Sequence, residues 1–502
     1  MKPVLTIDSS NSKSLPLVPK PVHVEHGTGY FVLTADTILV ADAASEATVL
    51  HLATCLRPGS GFNLPIVSAT VSNGTIIELT QDTGLADLGP EGYCLEVTPQ
   101  KISLAAPTQT GLFYAVQTVR QLLPPQIFSS HPITTIKWRI PCVTIKDYPR
   151  FRWRGVMLDT GHDFQQVSYI LRFIDLMAMH KFNTFHWHIT DLGTFPLEIR
   201  NYPNLQDPAT LGTRMRGNPK RGVKPGCYTH AEVREIVRYA AARHITVVPE
   251  IDMPGHSTPV LLAYPELDCP VPHKTWEWDR WEYCVGNENT YRFLQDVLAQ
   301  VIELFPSQFI HIGGDECPQD HWKKCPICQA KMKAENLQNE DELQGYFVRR
   351  IEAFLHSKGR RLIGWDEILA GGIDPSAAVM AWRVDQQAGL LAAQAGHDVV
   401  MALMSHLYFD FSEARTPLDV VYSFEPVPQG LTPEQATHIL GAQAQLWTDD
   451  HPTEKEIDRL LYPRVCAVSE VVWSPADFRD YTDFGKRLAV HRQQLGALGI
   501  EF

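Results

Sequence analysis

From Arg154 onward the chain alternates short apolar runs with amphipathic helical patterns, and no other feature restricts its fold so strongly. The candidate strands are GVMLD (155–159), TFHWHIT (184–190), ITVVPEID (245–252) and FIHIGG (309–314). Four more follow in RLIGWDE (361–367), AVMAWR (378–383), DVVMAL (398–403) and GAQAQLW (441–447). Helical spacing fills several of the gaps, in VSYILRFIDLMAMHK, HAEVREIVRYAAARH, TYRFLQDVLAQVIELF and DELQGYFVRRIEAFLHSKG. Successive β-then-α units of this kind predict a (β/α)8 barrel.

Residues 1–148 have a different pattern. GYFVLTADTILVAD and GYCLEVTPQKISLAAP alternate partially and are rich in β-formers, while GLFYAVQTVRQLL (111–123) carries Leu112, Ala115, Val116, Val119 and Leu123 on one helical side. A small α+β domain is therefore expected ahead of the barrel. IKDYPRFRWRG (145–155) reads as the connector, and 149–502 as the barrel domain. A chain of 502 residues is too long for one ordinary core.

In such a barrel the reacting groups sit at the C-terminal strand ends. Here those ends carry Asp159, Asp191, Glu250 with Asp252, Asp315 with Glu316, Trp365 with Asp366, Trp382 with Arg383, and Trp447 with Asp449. Acids and tryptophans around one rim suit a neutral hydroxylated ring: aromatic faces stack on its C–H surface and carboxylates accept from its hydroxyls. A formal net charge of −13 argues against nucleic acid as a partner. No segment approaches the roughly 18 consecutive apolar residues of a membrane span. The opening MKPVLTIDSSNSKSLPLVPK lacks an apolar signal-peptide region. The compartment expected is the cytoplasm, or a secreted or periplasmic one had a signal been removed before numbering. Ten cysteines in a chain of this size fit a reducing compartment better than a disulfide scaffold.

The motifs RGVMLD (154–159), HWHITD (186–191), PEIDMPGH (249–256), HIGGDE (311–316), GWDEIL (364–369), YFD (408–410), AQLW (444–447) and SEVVWS (469–474) occur in this order. Together they make the chain resemble the β-N-acetylhexosaminidases of glycoside hydrolase family 20, and the first 150 or so residues resemble the small domain preceding the barrel there. The resemblance implies substrate-assisted, retaining hydrolysis, a stated exception to the two-carboxylate scheme. It implies Glu316 as acid/base, Asp315 as the group orienting the 2-acetamido N–H, and Tyr408 as donor to the acetamido oxygen. Asp191 and His256 would form a supporting relay to Glu316. Arg154, Trp365, Trp382, Trp447, Asp410 and Asp449 would bind the sugar. No metal or other cofactor is implied for catalysis. The partner implied is a terminal β-linked N-acetylglucosamine or N-acetylgalactosamine of an oligosaccharide or glycoconjugate, and a homodimer is a possible assembly.

Two departures bear on sugar selectivity. Leu192 follows Asp191 where the family often has a second Asp, and Asp449 replaces a usual Glu. Loops 205–227 and 267–286 are expected to set linkage preference. Two rival functions stand beside this one. His186 and His188 form an H-x-H on a strand, a pattern some metal-dependent barrel hydrolases use with partners such as His256 or Asp252. The other rival is a non-catalytic sugar-binding barrel. Separately, Cys317, His321, Cys325 and Cys328, with Cys284 if the fold brings it near, have zinc-ligand spacing. The plainer reading, a loop of reduced thiols interrupted by Pro318 and Pro326, is favoured; a zinc at Cys317, Cys325 and Cys328 would be structural.

Overall fold

The computed structural model describes residues 15–68, 74–207, 226–272, 281–449 and 453–502. The alternating segments of the N-terminal region become strands β1 (His23–Val32), β2 (Ile38–Ala41), β3 (Ile66–Val67), β4 (Ile76–Gln81), β5 (Tyr93–Val97), β6 (Lys101–Ala106) and β7 (Arg139–Asp147). They lie in the order β1-β7-β5-β6-β4-β2-β3, antiparallel from β1 to β6 and parallel beyond. Helix Gln109–Leu122 starts at Thr108, whose hydroxyl accepts from the N–H groups of Thr110 and Gly111. It buries Leu112, Val116 and Val119, the side read from the sequence.

This unit comprises Met1–Arg150 together with Ser469–Phe502. The barrel unit, Phe151–Val468, therefore ends earlier than the 149–502 expected. The reason lies in Arg487 on the last helix (Tyr481–Ala497). Its buried guanidinium donates to Leu17 O at 2.6 Å and to both oxygens of Glu470 at 2.7 and 2.6 Å. A buried arginine needs such partners; Leu17, like Gln121, whose carbonyl accepts from Gln494 Nε2 at 2.8 Å, belongs to the N-terminal region and ties the last helix to it.

The eight expected barrel strands form as β8 (Trp153–Asp159), β9 (Thr184–His188), β10 (Thr246–Glu250), β11 (Phe309–His311), β12 (Arg361–Trp365), β13 (Ala378–Ala381), β14 (Val399–Met401) and β15 (Ile439–Ala444). Each pairs in parallel with its neighbours, and β15 meets β8 from Gly441↔Trp153 to Ala444↔Val156, which closes the ring. Every residue of β8 and β9 is buried, as expected for strands covered on both faces. Met157, Val248, Ile363, Met380 and Val400 pack together with Trp153 and Trp365 in one core cluster. The intervening helices begin at polar caps. Thr229 and Glu232 make a capping box for His230–Ala241, and Asn287 and Asn339 cap Glu288–Leu304 and Glu340–Ser357. Among the described residues no helix is long and apolar enough to cross a membrane.

Candidate active site

At the C-terminal ends of the strands lies a cavity of about 360 Å³, lined by segments that follow seven of the strands and by Trp365, the last residue of β12. The acid pair enters it through a backbone device. β11 stops at His311, and Gly313 and Gly314 then take φ of 69° and 97°, outside β space. A Cβ on Gly313 would lie 1.8 Å from Asp252 Oδ1, so only glycine fits. Glu316 follows with φ 45°, and His256 across the site has φ 51°. Such left-handed conformations at non-glycine residues cost on the order of 1–3 kcal/mol each and persist where surrounding structure holds them. The turn removes the alternation of a continuous strand: Asp315 is buried, whereas the Glu316 side chain is 56 % exposed. The two acids therefore share one pocket in different surroundings.

Behind them runs a buried chain of charge. His188 donates from Nε2 to Asp191 Oδ2 at 2.9 Å and from Nδ1 to Glu250 Oε2. His256 donates from Nδ1 to Asp191 Oδ1 at 2.9 Å, and its Nε2 lies 3.6 Å from Asp315 and 3.8 Å from Glu316. Burial opposes ionisation of Asp191, but the charges of His162 and His256 override it and hold the carboxyl well below the usual range. Burial likewise disfavours a charged His256, yet the Asp191 carboxylate above all, with Asp315 adding to it, raises it well above an ordinary imidazole. Burial pushes Asp315 up to about 7, with the His256 cation pulling the other way. Burial and the neighbouring Asp315 charge push Asp252 well above the carboxylate range. Asp252 thus holds its proton while Asp315 ionises near neutrality. Asp315 Oδ1 and both Asp252 oxygens have no hydrogen-bond partner among the described residues. An oxygen left so inside a pocket has capacity for a ligand N–H.

Aromatic side chains enclose the rest. Trp365 is 1 % exposed and donates from Nε1 to Glu250 Oε1 at 2.9 Å, so it belongs both to the core and to the cavity lining. Trp447 packs 6.0 Å from Trp365, and Trp382 stacks on Tyr408 at 6.2 Å. Trp382 Nε1 donates to Glu367 at 2.9 Å, fixing its ring. Burial first, then the charges of Asp315 and Asp410, keep the Tyr408 hydroxyl protonated far above its ordinary range. Asp410 also lines the cavity, lifted to about 6 by burial.

The structure thus brings together ten of the residues singled out from sequence: Glu316, Asp315, Tyr408, Asp191, His256, Trp365, Trp382, Trp447, Asp410 and Asp449. Arg154 is not among them. It lies near the start of β8, at the opposite end from the rim, with its guanidinium fully buried and donating to Lys181 O (2.8 Å) and Phe151 O (2.9 Å). In its place the sugar-sized cavity has His162, which the sequence reading passed over. His162 donates from Nδ1 to Asp159 Oδ2 at 2.7 Å, and its Nε2 lies 3.2 Å from Asp449. Burial opposes its charge, but Asp191, Asp159 and Asp449 raise it above an ordinary histidine. Leu192 lines the cavity, and Trp281, Met404 and Phe411 join the lining. Of the loops expected to set linkage, residues 208–225 and 273–280 lie outside the described residues.

The cysteine expectation is corrected in its members. Cys317 and His321 stand apart, and His321 pairs with Glu282 at 3.0 Å. The thiols that converge are Cys269, Cys284, Cys325 and Cys328, all buried, with ligand atoms within 4.8 Å of one another. Cys269 carried no spacing signal because another loop supplies it.

Residues 151–476 match the family model described as glycosyl hydrolase family 20, catalytic domain, and residues 14–148 match family 20, domain 2. The chain belongs to glycosyl hydrolase family 20. A beta-hexosaminidase of Porphyromonas gingivalis is 38% identical over 98% of this chain and 64% of its own length, so the chain spans less than two thirds of that relative. One of Akkermansia muciniphila is 34% identical over 83% of this chain and 86% of its own. Among solved structures, the GH20 beta-N-acetylhexosaminidase of Streptomyces coelicolor A3(2) superposes with a TM-score of 0.82 at 31% identity, covering 97% of both chains. A mutant Streptomyces plicatus beta-hexosaminidase in complex with the product GlcNAc gives 0.83 at 30% identity, over 97% of this chain and 96% of that one. Family 20 membership displaces the metal-dependent hydrolase weighed for His186 and His188. In this family 20 chain those imidazoles are engaged instead: His188 as above, and His186 with Gln443 Nε2 at 2.8 Å and Glu250 at 2.9 Å. Burial lowers His186 to about 4, so it stays neutral.

Proposed function

We propose that this family 20 glycosidase is an exo-acting, retaining β-N-acetylhexosaminidase. It releases terminal β-linked N-acetylglucosamine or N-acetylgalactosamine, with the substrate's own 2-acetamido oxygen as nucleophile. The observation that carries this reading is the pairing of a buried Asp315, one oxygen unpartnered among the described residues, with an exposed Glu316 in one aromatic pocket.

Each group has one task. Glu316 donates its proton to the glycosidic oxygen as the C1–O bond breaks. The acetamido oxygen attacks C1 from the other side and forms an oxazolinium ion. Asp315 accepts the acetamido N–H and offsets the positive charge that develops there. Tyr408 donates its hydroxyl proton to the acetamido oxygen and holds it against C1. Glu316 then takes a proton from the water that opens the ring at C1, and double displacement leaves the β configuration. No step requires a metal or an organic cofactor. Exo action is supported by the floor, where buried Trp365 closes the cavity beneath a bound terminal ring. Selection between gluco and galacto epimers falls to the His162–Asp449 pair at the pocket edge.

The test is hydrolysis of aryl β-N-acetylglucosaminide and aryl β-glucoside by wild type and Glu316→Gln. Wild type should turn over the first and scarcely the second. Glu316→Gln should lose about 10²–10⁴-fold in kcat while still binding sugar. Comparable turnover of the glucoside, or near-wild-type turnover by Glu316→Gln, defeats the reading.

A further inference from the structure

We propose that Cys269, Cys284, Cys325 and Cys328 bind one zinc ion, which pins the loop after β10 to the loop after β11 beside the catalytic pair. Three separate segments supply these thiols. Cys269 follows a short helical turn (Pro265–Leu267), Cys284 precedes helix Glu288–Leu304, and Cys325 and Cys328 open helix Pro326–Glu335. Their exposures are 3, 0, 0 and 0 %.

Buried cysteines often act as small apolar side chains, so burial alone decides nothing. The separations do. Zinc binds thiolate at about 2.3 Å in tetrahedral geometry, which places neighbouring sulfurs about 3.8 Å apart. Here the Sγ atoms of Cys269 and Cys328 are 3.9 Å apart, those of Cys284 and Cys325 3.7 Å, and those of Cys284 and Cys328 3.7 Å. A disulfide would need about 2.05 Å, and all four are free thiols. Two thiols in simple contact stand about as far apart, but here four of them, drawn from three segments, have their ligand atoms within 4.8 Å of one another, a set that one ion can bridge. A soft four-sulfur set of this shape selects zinc or iron over the hard cations; zinc is the ion proposed.

The backbone is shaped around the same point. The Cys328 N–H donates to Cys325 Sγ at 3.5 Å, an orientation that favours the thiolate. Gly286 presses against the same turn, since a Cβ there would lie 2.7 Å from Cys328 Cα and from Ile327 O. Each ligating cysteine gives up its thiol proton, so one zinc displaces the protons of the sulfurs it holds. The tether matters to the pocket because Trp281, three positions before Cys284, lines it, and so do Asp315 and Glu316 at the head of the other loop. Hydrogen bonds from Tyr283 N to Pro254 O (2.9 Å) and from Trp322 Nε1 to Tyr283 O (2.8 Å) join the same segments.

The test is metal content of the full chain, purified without chelator or added metal, by elemental analysis and native mass spectrometry. One zinc per chain is expected, released as the thiols are blocked with a mercurial and detected with a chromogenic chelator. Cys284→Ser together with Cys328→Ser should abolish it. Expression in cobalt-supplemented medium should give the visible absorption of tetrahedral cobalt thiolate in wild type but not in that variant. The wild-type measurements stand even where the variant fails to fold. Less than a tenth of an equivalent of zinc overturns the proposal. So does iron in its place, or a mass showing the four thiols oxidised to two disulfides.

Discussion

Replacing Asp315 by Asn removes a charge while keeping shape and one acceptor oxygen, so it separates what the carboxylate does for catalysis from what it does to the fold. In the transition state a carboxylate about 4 Å from a developing cation is worth about 4 kcal/mol at an effective dielectric near 20. The retained acceptor recovers part of that. Asp315→Asn should therefore lose about 10²–10³-fold in kcat, with KM little changed. Stability moves the opposite way. Burial raises the Asp315 carboxyl from 3.8 to about 7, so the unfolded chain ionises more readily than the folded one. The resulting penalty is absent below the ordinary value, grows as pH rises toward 7 and is complete above it, reaching about 4 kcal/mol at most. The variant should melt higher than wild type at pH 8, by about 1–4 kcal/mol of stability, and the gap should close as pH falls to 4. Thermal melts at both pH values and steady-state hydrolysis of an aryl β-N-acetylglucosaminide check both halves. A kcat within tenfold of wild type refutes the catalytic role. A melting temperature that is lower at pH 8, or a gap independent of pH, refutes the electrostatic one.

Tyr408→Phe should lose about 10²–10³-fold in kcat, because the acetamido oxygen then lacks its donor; an unchanged kcat contradicts that role. His256→Asn removes the cation that lowers Asp315. Since kcat/KM reports the free enzyme, its acidic limb should move to higher pH, and a limb that stays put or moves down argues against the relay. His162→Ala should raise KM about tenfold with a smaller change in kcat and alter the ratio of N-acetylglucosaminide to N-acetylgalactosaminide turnover. Arg154→Lys, by contrast, should destabilise the fold without altering that ratio, because its side chain bonds backbone oxygens away from the pocket.

The barrel was legible because its strands are short apolar runs, seven of the eight ending in an acid or tryptophan, and residues from those ends do meet at one rim. Strand lengths were less so. FIHIGG reads as six continuous strand residues, yet the left-handed glycines end β11 at His311. Arg154 shows a different gap. RGVMLD marks a strand, but a strand has two ends, and the arginine stands at the one facing away from the cavity while Asp159 stands at the other. His162 was hidden because a lone histidine in a turn carries no pattern; its meaning comes from Asp159 at the end of its own strand and from Asp191 and Asp449, which the fold brings in after β9 and β15. The cysteine pair at 325 and 328 was visible by spacing, and Cys284 was named on condition that the fold bring it near, as it does; Cys269, from the same preceding loop, joins them only by folding.

The central claim is that the substrate's acetamido group is the nucleophile, and replacing its methyl hydrogens by fluorine tests it most directly. Each fluorine withdraws electrons from the acetamido oxygen while barely changing its size. Aryl β-glucosaminides bearing acetyl, fluoroacetyl, difluoroacetyl and trifluoroacetyl groups should show kcat falling steeply at every step. Equal kcat across the four substrates would contradict participation and return the nucleophile to a side chain or to water.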